Sequence, residues 1–163
     1  MSESDETLHR NVVRVVEAGA AIGVTVEPVR FPEGTKTAID AATAIGCDVG
    51  QIVKSLIFAV DGEIVLAYVS GANRLDEDKL ALAAGGDRCS RVDADAVRAA
   101  TGFPIGGVPP FGHDAELRVF VDPDLLRYEA VWAAAGTWHD VFSLTPTQLV
   151  DASGGVVVEL KRQ

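Results

Sequence analysis

The sequence predicts a single α+β domain, and three observations carry that prediction. Its 163 residues match one domain, for which ~100–200 residues is usual. Strand-like and helix-like stretches are interspersed without the regular strand–helix–strand alternation of a parallel α/β sheet. The most strand-like part turns at Asp61-Gly62, the residue chemistry of a two-residue hairpin.

The elements follow in order. In residues 5–22, Leu8, Val12, Val15, Val16, Ala18 and Ile22 recur at near-helical spacing, which predicts an amphipathic helix ending at Gly23. VTVEPVR at 24–30 predicts a short strand, on an edge because of Pro28. An Ala-rich helix is expected over 35–46, stopped by Gly46. QIVKSLIFAV (51–60) and EIVLAYV (63–69) form the hairpin. Residues 76–84 and 93–101 predict helices, each opened by an aspartate at or near the N-cap. Short strands are expected at 117–121, 129–133, 138–144 and 156–160, with a helical turn beginning near Thr145-Pro146.

Composition narrows the function classes. Fourteen Lys+Arg against 24 Asp+Glu give a formal net charge of −10, which argues against a protein that grips nucleic acid, DNA included, through a basic surface. Cys47 and Cys89 are too few for a disulfide framework and lack CxxC spacing. No apolar run approaches a membrane span, and MSESDETLHR lacks the parts of a signal peptide. The expectation is a soluble, cytoplasmic protein that needs no metal or disulfide staple. The histidines, His9, His113 and His139, show no metal-ligand spacing, and no Walker loop, GxGxxG or GxSxG motif occurs.

Two features carry chemistry. Strand alternation puts Lys54 on one face with Ile52, Leu56 and Phe58, while Val53, Ser55, Ile57 and Ala59 share the other. Both faces are mostly apolar, which predicts a buried strand. The lysine then either snorkels from a sheet edge or meets an anion in a pocket. The second feature is GFPIGGVPPFG at 102–112. Four glycines and three prolines in eleven residues, with no charged side chain, describe a stiff and specifically shaped loop. Its amides at Ile105, Gly106, Gly107 and Val108 are candidates to bind an oxyanion or a substrate carbonyl, with Ile105, Val108 and Phe111 as an apolar wall. Two residues have a bland and a functional reading side by side. Cys89 is an inert thiol, or one activated by Arg88 and Arg91. His139 is a partly buried strand histidine, or a functional one.

GQIVKSLIF, the hairpin after it, SGANRLD and GFPIGGVPPFGH together resemble the YbaK/prolyl-tRNA synthetase-associated editing domain family, particularly its free-standing members, from about residue 20 to residue 160. The resemblance implies a compact α+β domain with a barrel-like mixed sheet, no metal and no organic cofactor. It implies an aminoacyl-tRNA deacylase that clears tRNA(Pro) carrying alanine or cysteine. By position, Lys54 matches the family's essential lysine, and Gly106, Gly107, Val108, Pro109 and Pro110 match its GxxxP loop. Asn73, Arg74 and Thr37 fall in segments that border the site, and His139 falls near a histidine of some members.

This chemistry suits the residues, because an activated ester needs a positioned water and oxyanion donors rather than a protein nucleophile. Lys54 is expected to engage the phosphate or ribose end of the terminal adenosine, and residues 106–110 the aminoacyl group. The acidic balance then predicts weak, salt-sensitive recognition of the tRNA 3′ end, with a prolyl-tRNA synthetase or an elongation factor as further partner. Two competing readings are a non-catalytic nucleotide- or amino-acid-binding module that docks on a synthetase, and a thiol hydrolase using Cys89.

Overall fold

The computed structural model describes residues 8–35 and 37–163. Five helices are present among them: α1 (Arg10–Ala21), α2 (Ala38–Ile45), α3 (Glu77–Ala83), α4 (Ala94–Thr101) and α5 (Pro146–Ser153). The strands are β1 (Val29–Arg30), β2 (Val53–Val60), β3 (Glu63–Ser70), β4 (Cys89–Arg91), β5 (Arg118–Val121), β6 (Val131–Thr137), β7 (Asp140–Leu144) and β8 (Val156–Val157). Single 3-10 turns cover Val49–Gln51 and Pro123–Arg127.

The α+β class is correct. The sheet implied by the resemblance is mixed, but it does not close into a barrel. A five-stranded sheet runs β4-β2-β3-β5-β8 and a three-stranded sheet runs β1-β7-β6. A lone parallel bridge, Ile52 to Trp132, ties them where β2 begins. Strand β2 pairs with β3 along its whole length, Val53 with Ser70 through Val60 with Glu63. On its other edge β4 covers it at Phe58–Val60. The edge from Val53 to Ile57 is therefore left facing β6.

The core follows from alternation. Leu66 and Tyr68 of β3 point into one apolar cluster with Val53, Phe103, Val119, Val121 and Phe142. Val65, Ala67 and Val69 point into a second, with Leu75, Leu80, Phe120 and Leu160. A strand buried on both faces must be apolar at every position, and IVLAYV is. Strand β2 departs from the buried-strand expectation: only Val53 and Val60 are fully buried, and the residues between them are half-buried. The hairpin turn is as expected, with Asp61 at φ 50 and Gly62 at φ 88, the two left-handed residues of a type I′ turn.

Several boundaries move. The expected start of α1 at residue 5 lies outside the described residues; the helix is capped by His9, whose Nδ1 accepts the Asn11 amide at 3.0 Å. Of the expected strand 24–30 only Val29–Arg30 pairs, against Val141 and Asp140. Val24 and Val26 are buried in extended chain beside it. The strand expected at 129–133 runs over 131–137, and the next starts at Asp140, so His139 sits in a turn and not in a strand. The last strand stops at Val157, while Lys161 bridges back to Leu75. Strand β4 escaped notice because three residues, CSR, carry no pattern. No helix among the described residues is long and apolar enough to cross a membrane.

Candidate functional site

Where the open edge of β2 faces β6, the two sheets leave a cavity of about 490 Å³. Lys54, Ser55 and Leu56 line one side; Trp132, Ala133, Ala134 and Val141 line the other. Thr37, Ala38, Ile39 and Ala41 from the start of α2, together with Ile105 and Gly106, complete the wall. Of the twelve sequence-predicted site residues, this brings together Lys54, Thr37, Ile105 and Gly106. Ile39 is 70% and Ile105 54% exposed, so two large apolar side chains stand uncovered at the mouth.

The 102–112 loop is held in a defined shape. The Gly107 amide donates to the Pro104 carbonyl at 2.9 Å, closing a turn whose third residue, Gly106, has φ 84; a turn of this kind needs glycine there. That bond commits the Gly107 amide, one of the four candidate donors. The amides of Ile105, Gly106 and Val108 have no protein acceptor among the described residues, and those of Ile105 and Gly106 are on exposed residues at the cavity wall. Gly107 packs so closely on the end of β6 that a Cβ would stand 2.8 Å from the Gly136 carbonyl oxygen.

Val108 and Phe111 were expected to form an apolar wall of the site with Ile105. Their side chains instead lie in the main core, and Pro109 and Pro110 are buried beside them. An eleven-residue segment rich in proline has few ways to satisfy its own carbonyls, so other elements do it. The Ser55 hydroxyl donates to the Val108 carbonyl at 2.8 Å. The Tyr68 hydroxyl donates to the Pro109 carbonyl at 2.9 Å, and His113 Nε2 meets the same oxygen at 2.7 Å. Both ring systems are deeply placed: burial pushes the Tyr68 pKa up and the His113 pKa down, so both are neutral donors. Arg14 of α1 adds a staple, bonding the Gly102 carbonyl at 3.1 Å and Asp114 at 2.8 Å, with its guanidinium 4.4 Å from the Phe103 ring centroid.

Lys54 shares the strand face of Leu56 and Phe58, and its ammonium donates to the Asn73 carbonyl. Burial first, and the Arg74 guanidinium second, lower its pKa; Asp122 acts in the opposite sense. It is half-buried with a carbonyl partner and repulsion from Arg74. That is a cation held at the rim of a cavity rather than one snorkelling into solvent. Asn73 does not line the cavity but holds the lysine. Its side-chain amide donates to Asp122 at 2.8 Å and to Asp124 at 2.9 Å. Arg74 is exposed next to it.

Thr37 caps α2, its hydroxyl accepting the Asp40 amide at 3.0 Å. His139 is away from the cavity lining; its Nδ1 faces the Phe31 carbonyl at 3.1 Å and its ring meets Trp138 edge-on. Cys89 is not activated by its neighbouring arginines. Burial, then Glu77 and Asp78, push its pKa up to about 11, because α3 packs its acidic first turn against β4. Among the described residues no three His, Cys, Asp or Glu side chains gather as a metal site.

Sequence reasoning missed Ser55, Tyr68, His113 and Asp122. A tyrosine inside the run IVLAYV was the available signal, since a buried hydroxyl needs a partner. A histidine directly after the glycine–proline loop was another.

The family described as "Aminoacyl-tRNA editing domain" matches residues 32–152. An uncharacterized protein, YwhH, of Bacillus subtilis is 33% identical over 76% of this chain and 78% of its own length. The proline–tRNA ligase of Maridesulfovibrio salexigens is 35% identical over 71% of this chain, a stretch that spans 19% of the ligase. A solved structure described as a candidate trans-editing enzyme for prolyl tRNA synthetase is 42% identical. It superposes with a TM-score of 0.91 over 96% of this chain and 100% of that one.

Proposed function

The chain belongs to the aminoacyl-tRNA editing domain family, and from that membership we propose that it hydrolyses, in trans, the ester of tRNA(Pro) mischarged with alanine or cysteine. The single observation that carries this reading is the shared cavity. Lys54 and the exposed residues Ile105 and Gly106, whose amides have no protein acceptor among the described residues, line one and the same cavity.

An aminoacyl ester is activated already, so the protein has to place it and stabilise the oxyanion that forms. In this proposal the Lys54 ammonium binds the phosphate or ribose of the terminal adenosine as a point charge. That placement brings the ester carbonyl towards the loop. The Ile105 and Gly106 amides donate to the developing oxyanion, and the substrate's own ribose hydroxyl helps to orient the attacking water. Water adds to the carbonyl carbon, the bond to the ribose oxygen breaks, and that oxygen takes the proton that the water gives up as the free amino acid leaves. Lys54 acts as the charged form throughout. Burial and Arg74 lower its pKa, but the carbonyl acceptor and Asp122 favour the ammonium.

Ile39, Ile105, Ala133, Ala134 and Val141 make much of the cavity wall apolar. Such a wall separates amino acids that differ by one methylene by only ~1–3 kcal/mol. We place the tRNA contact at the 3′ end, weak and salt-sensitive, with prolyl-tRNA synthetase or an elongation factor supplying further contact.

Incubation with Ala-tRNA(Pro), Cys-tRNA(Pro) and Pro-tRNA(Pro) in parallel tests the proposal. It expects rapid loss of at least one mischarged ester and survival of the prolyl ester. Survival of both mischarged esters over a wide enzyme range would mean that the cavity binds without catalysing.

A further inference from the structure

Behind Lys54 lies a carboxylate that the catalytic reading does not use. Asp122, at the end of β5, is 1% exposed. A carboxylate taken out of water loses several kcal/mol of solvation unless hydrogen bonds and opposite charge replace it. Its hydrogen bonds are in place: Oδ2 accepts the Ser70 amide at 3.1 Å and Asn73 Nδ2 at 2.8 Å, and Oδ1 accepts the Asp124 amide at 2.9 Å. Among the described residues no cation touches it. The cation it faces is Lys54, one residue removed, through the residue that both share.

Asn73 is used at both ends. Its side-chain amide donates to Asp122 and Asp124, and its backbone carbonyl receives the Lys54 ammonium. Its own amide closes the turn onto the Ser70 carbonyl at 2.9 Å. Ser70 in turn donates its hydroxyl to the Gly50 carbonyl at 2.8 Å. The 70–74 turn thus hangs from the Asp122 carboxylate by a backbone bond at Ser70 and a side-chain bond at Asn73.

We propose that Asp122 is the positioning residue for Lys54: through Asn73 it fixes the carbonyl that aims the ammonium at the cavity rim, and it supplies the negative charge that faces that ammonium. This rests on the reading that Lys54 contacts the substrate. The charged surroundings of Lys54 are few. Arg74, on the same turn, opposes the ammonium, and Asp122 favours it. Asp124, beyond Asn73, is already paired with Lys161 at 3.0 Å and Arg127 at 3.2 Å. The strand neighbours Val69 and Leu56 bring no charge.

The test is an NMR titration of the Lys54 side chain, assigned against Lys54→Ala, in the wild type, Asp122→Asn and Asn73→Ala, with single-turnover deacylation measured on the same proteins. Asp122→Asn keeps the size, removes the charge and leaves only one accepting oxygen for the three N–H donors, so the Lys54 midpoint should move to lower pH. The deacylation rate should drop about tenfold or more, as expected when an electrostatic positioning contact of this kind is lost. Asn73→Ala, at a partly exposed site, should move both in the same direction even if Asp122→Asn does not fold. A Lys54 midpoint unchanged in folded Asp122→Asn or Asn73→Ala protein would overturn the proposal. A shifted midpoint with full deacylation in the same variant would overturn the positioning role, whereas full deacylation by Lys54→Ala would instead remove Lys54 from the reaction.

Discussion

The Ser55 hydroxyl donates to the Val108 carbonyl at 2.8 Å, joining two residues 53 positions apart. Its neighbour Lys54, on the opposite face of β2, bonds the Asn73 carbonyl. One strand therefore holds the glycine–proline loop with one residue and presents the cation with the next. The spacing between Lys54 and the loop is set by the backbone of β2 rather than by a chain of flexible side chains.

That arrangement predicts that Ser55→Ala is a mild stability variant and a stronger activity variant. Losing one hydrogen bond to a part-buried carbonyl costs about 1 kcal/mol, up to ~3 if the carbonyl stays dry. The loop amides shift as well, so the deacylation rate should fall about tenfold or more. Urea melts and single-turnover assays on the same preparation separate the two effects.

Gly107→Ala should be worse than Gly106→Ala for stability. A Cβ at 107 meets the backbone of Gly136 and Thr137 at 2.8–2.9 Å, which neither side can relieve by turning a side chain. A Cβ at 106 has ordinary contact with Trp138 at 3.5 Å and suffers from φ 84 alone, a cost of about 1–2 kcal/mol. The loss at 107 should exceed that by a clear margin in denaturant midpoints.

The pH dependence of stability should carry the signature of His113. Burial holds its pKa below the 6.5 of a free imidazole, so the unfolded chain takes up the proton first as pH falls. The His113 contribution is complete above about 6.5 and is lost as pH drops through the folded-state pKa. Asp124, whose pKa its Asn73 and Lys161 hydrogen bonds lower from 3.8, acts in the same direction but only below 3.8. Urea midpoints between pH 7.5 and pH 5 should decline in the wild type and flatten in His113→Gln.

Cys89→Ser should leave deacylation unchanged. A thiol with its pKa near 11 is protonated at neutral pH, and Cys89 lies on β4, outside the cavity lining. An activity loss beyond twofold would revive the thiol-hydrolase reading.

How much of this was legible in the sequence depended on the range of the interaction. The hairpin at Asp61-Gly62 and the αL glycine ending α2 are local rules, and they hold. Lys54 and the loop were visible as residues out of keeping with their surroundings. The partners that hold them were not. Asp122 in VDPD looks like a plain cap for the 3-10 turn that follows, and it does cap Asp124. Its second oxygen reaches back to Ser70 and Asn73 only because β5 lies parallel to β3, a pairing with no local signal. Val108 and Phe111 were assigned to the wrong side because a loop without periodicity does not reveal which residues face inward. His139 was placed in a strand because the 131–144 hairpin turns at Trp138-His139, without the glycine or asparagine that usually marks such a turn.

The central claim is that the Lys54 ammonium holds the substrate against the loop, and one measurement bears on it most directly. Single-turnover hydrolysis of mischarged tRNA(Pro) is compared between the wild type and Lys54→Ala. Because Lys54 is half-buried with one backbone acceptor, the variant should fold with nearly unchanged stability. The account predicts at least a hundredfold slower deacylation, about 3 kcal/mol of lost transition-state stabilisation. A Lys54→Ala protein that clears the ester at the wild-type rate contradicts it.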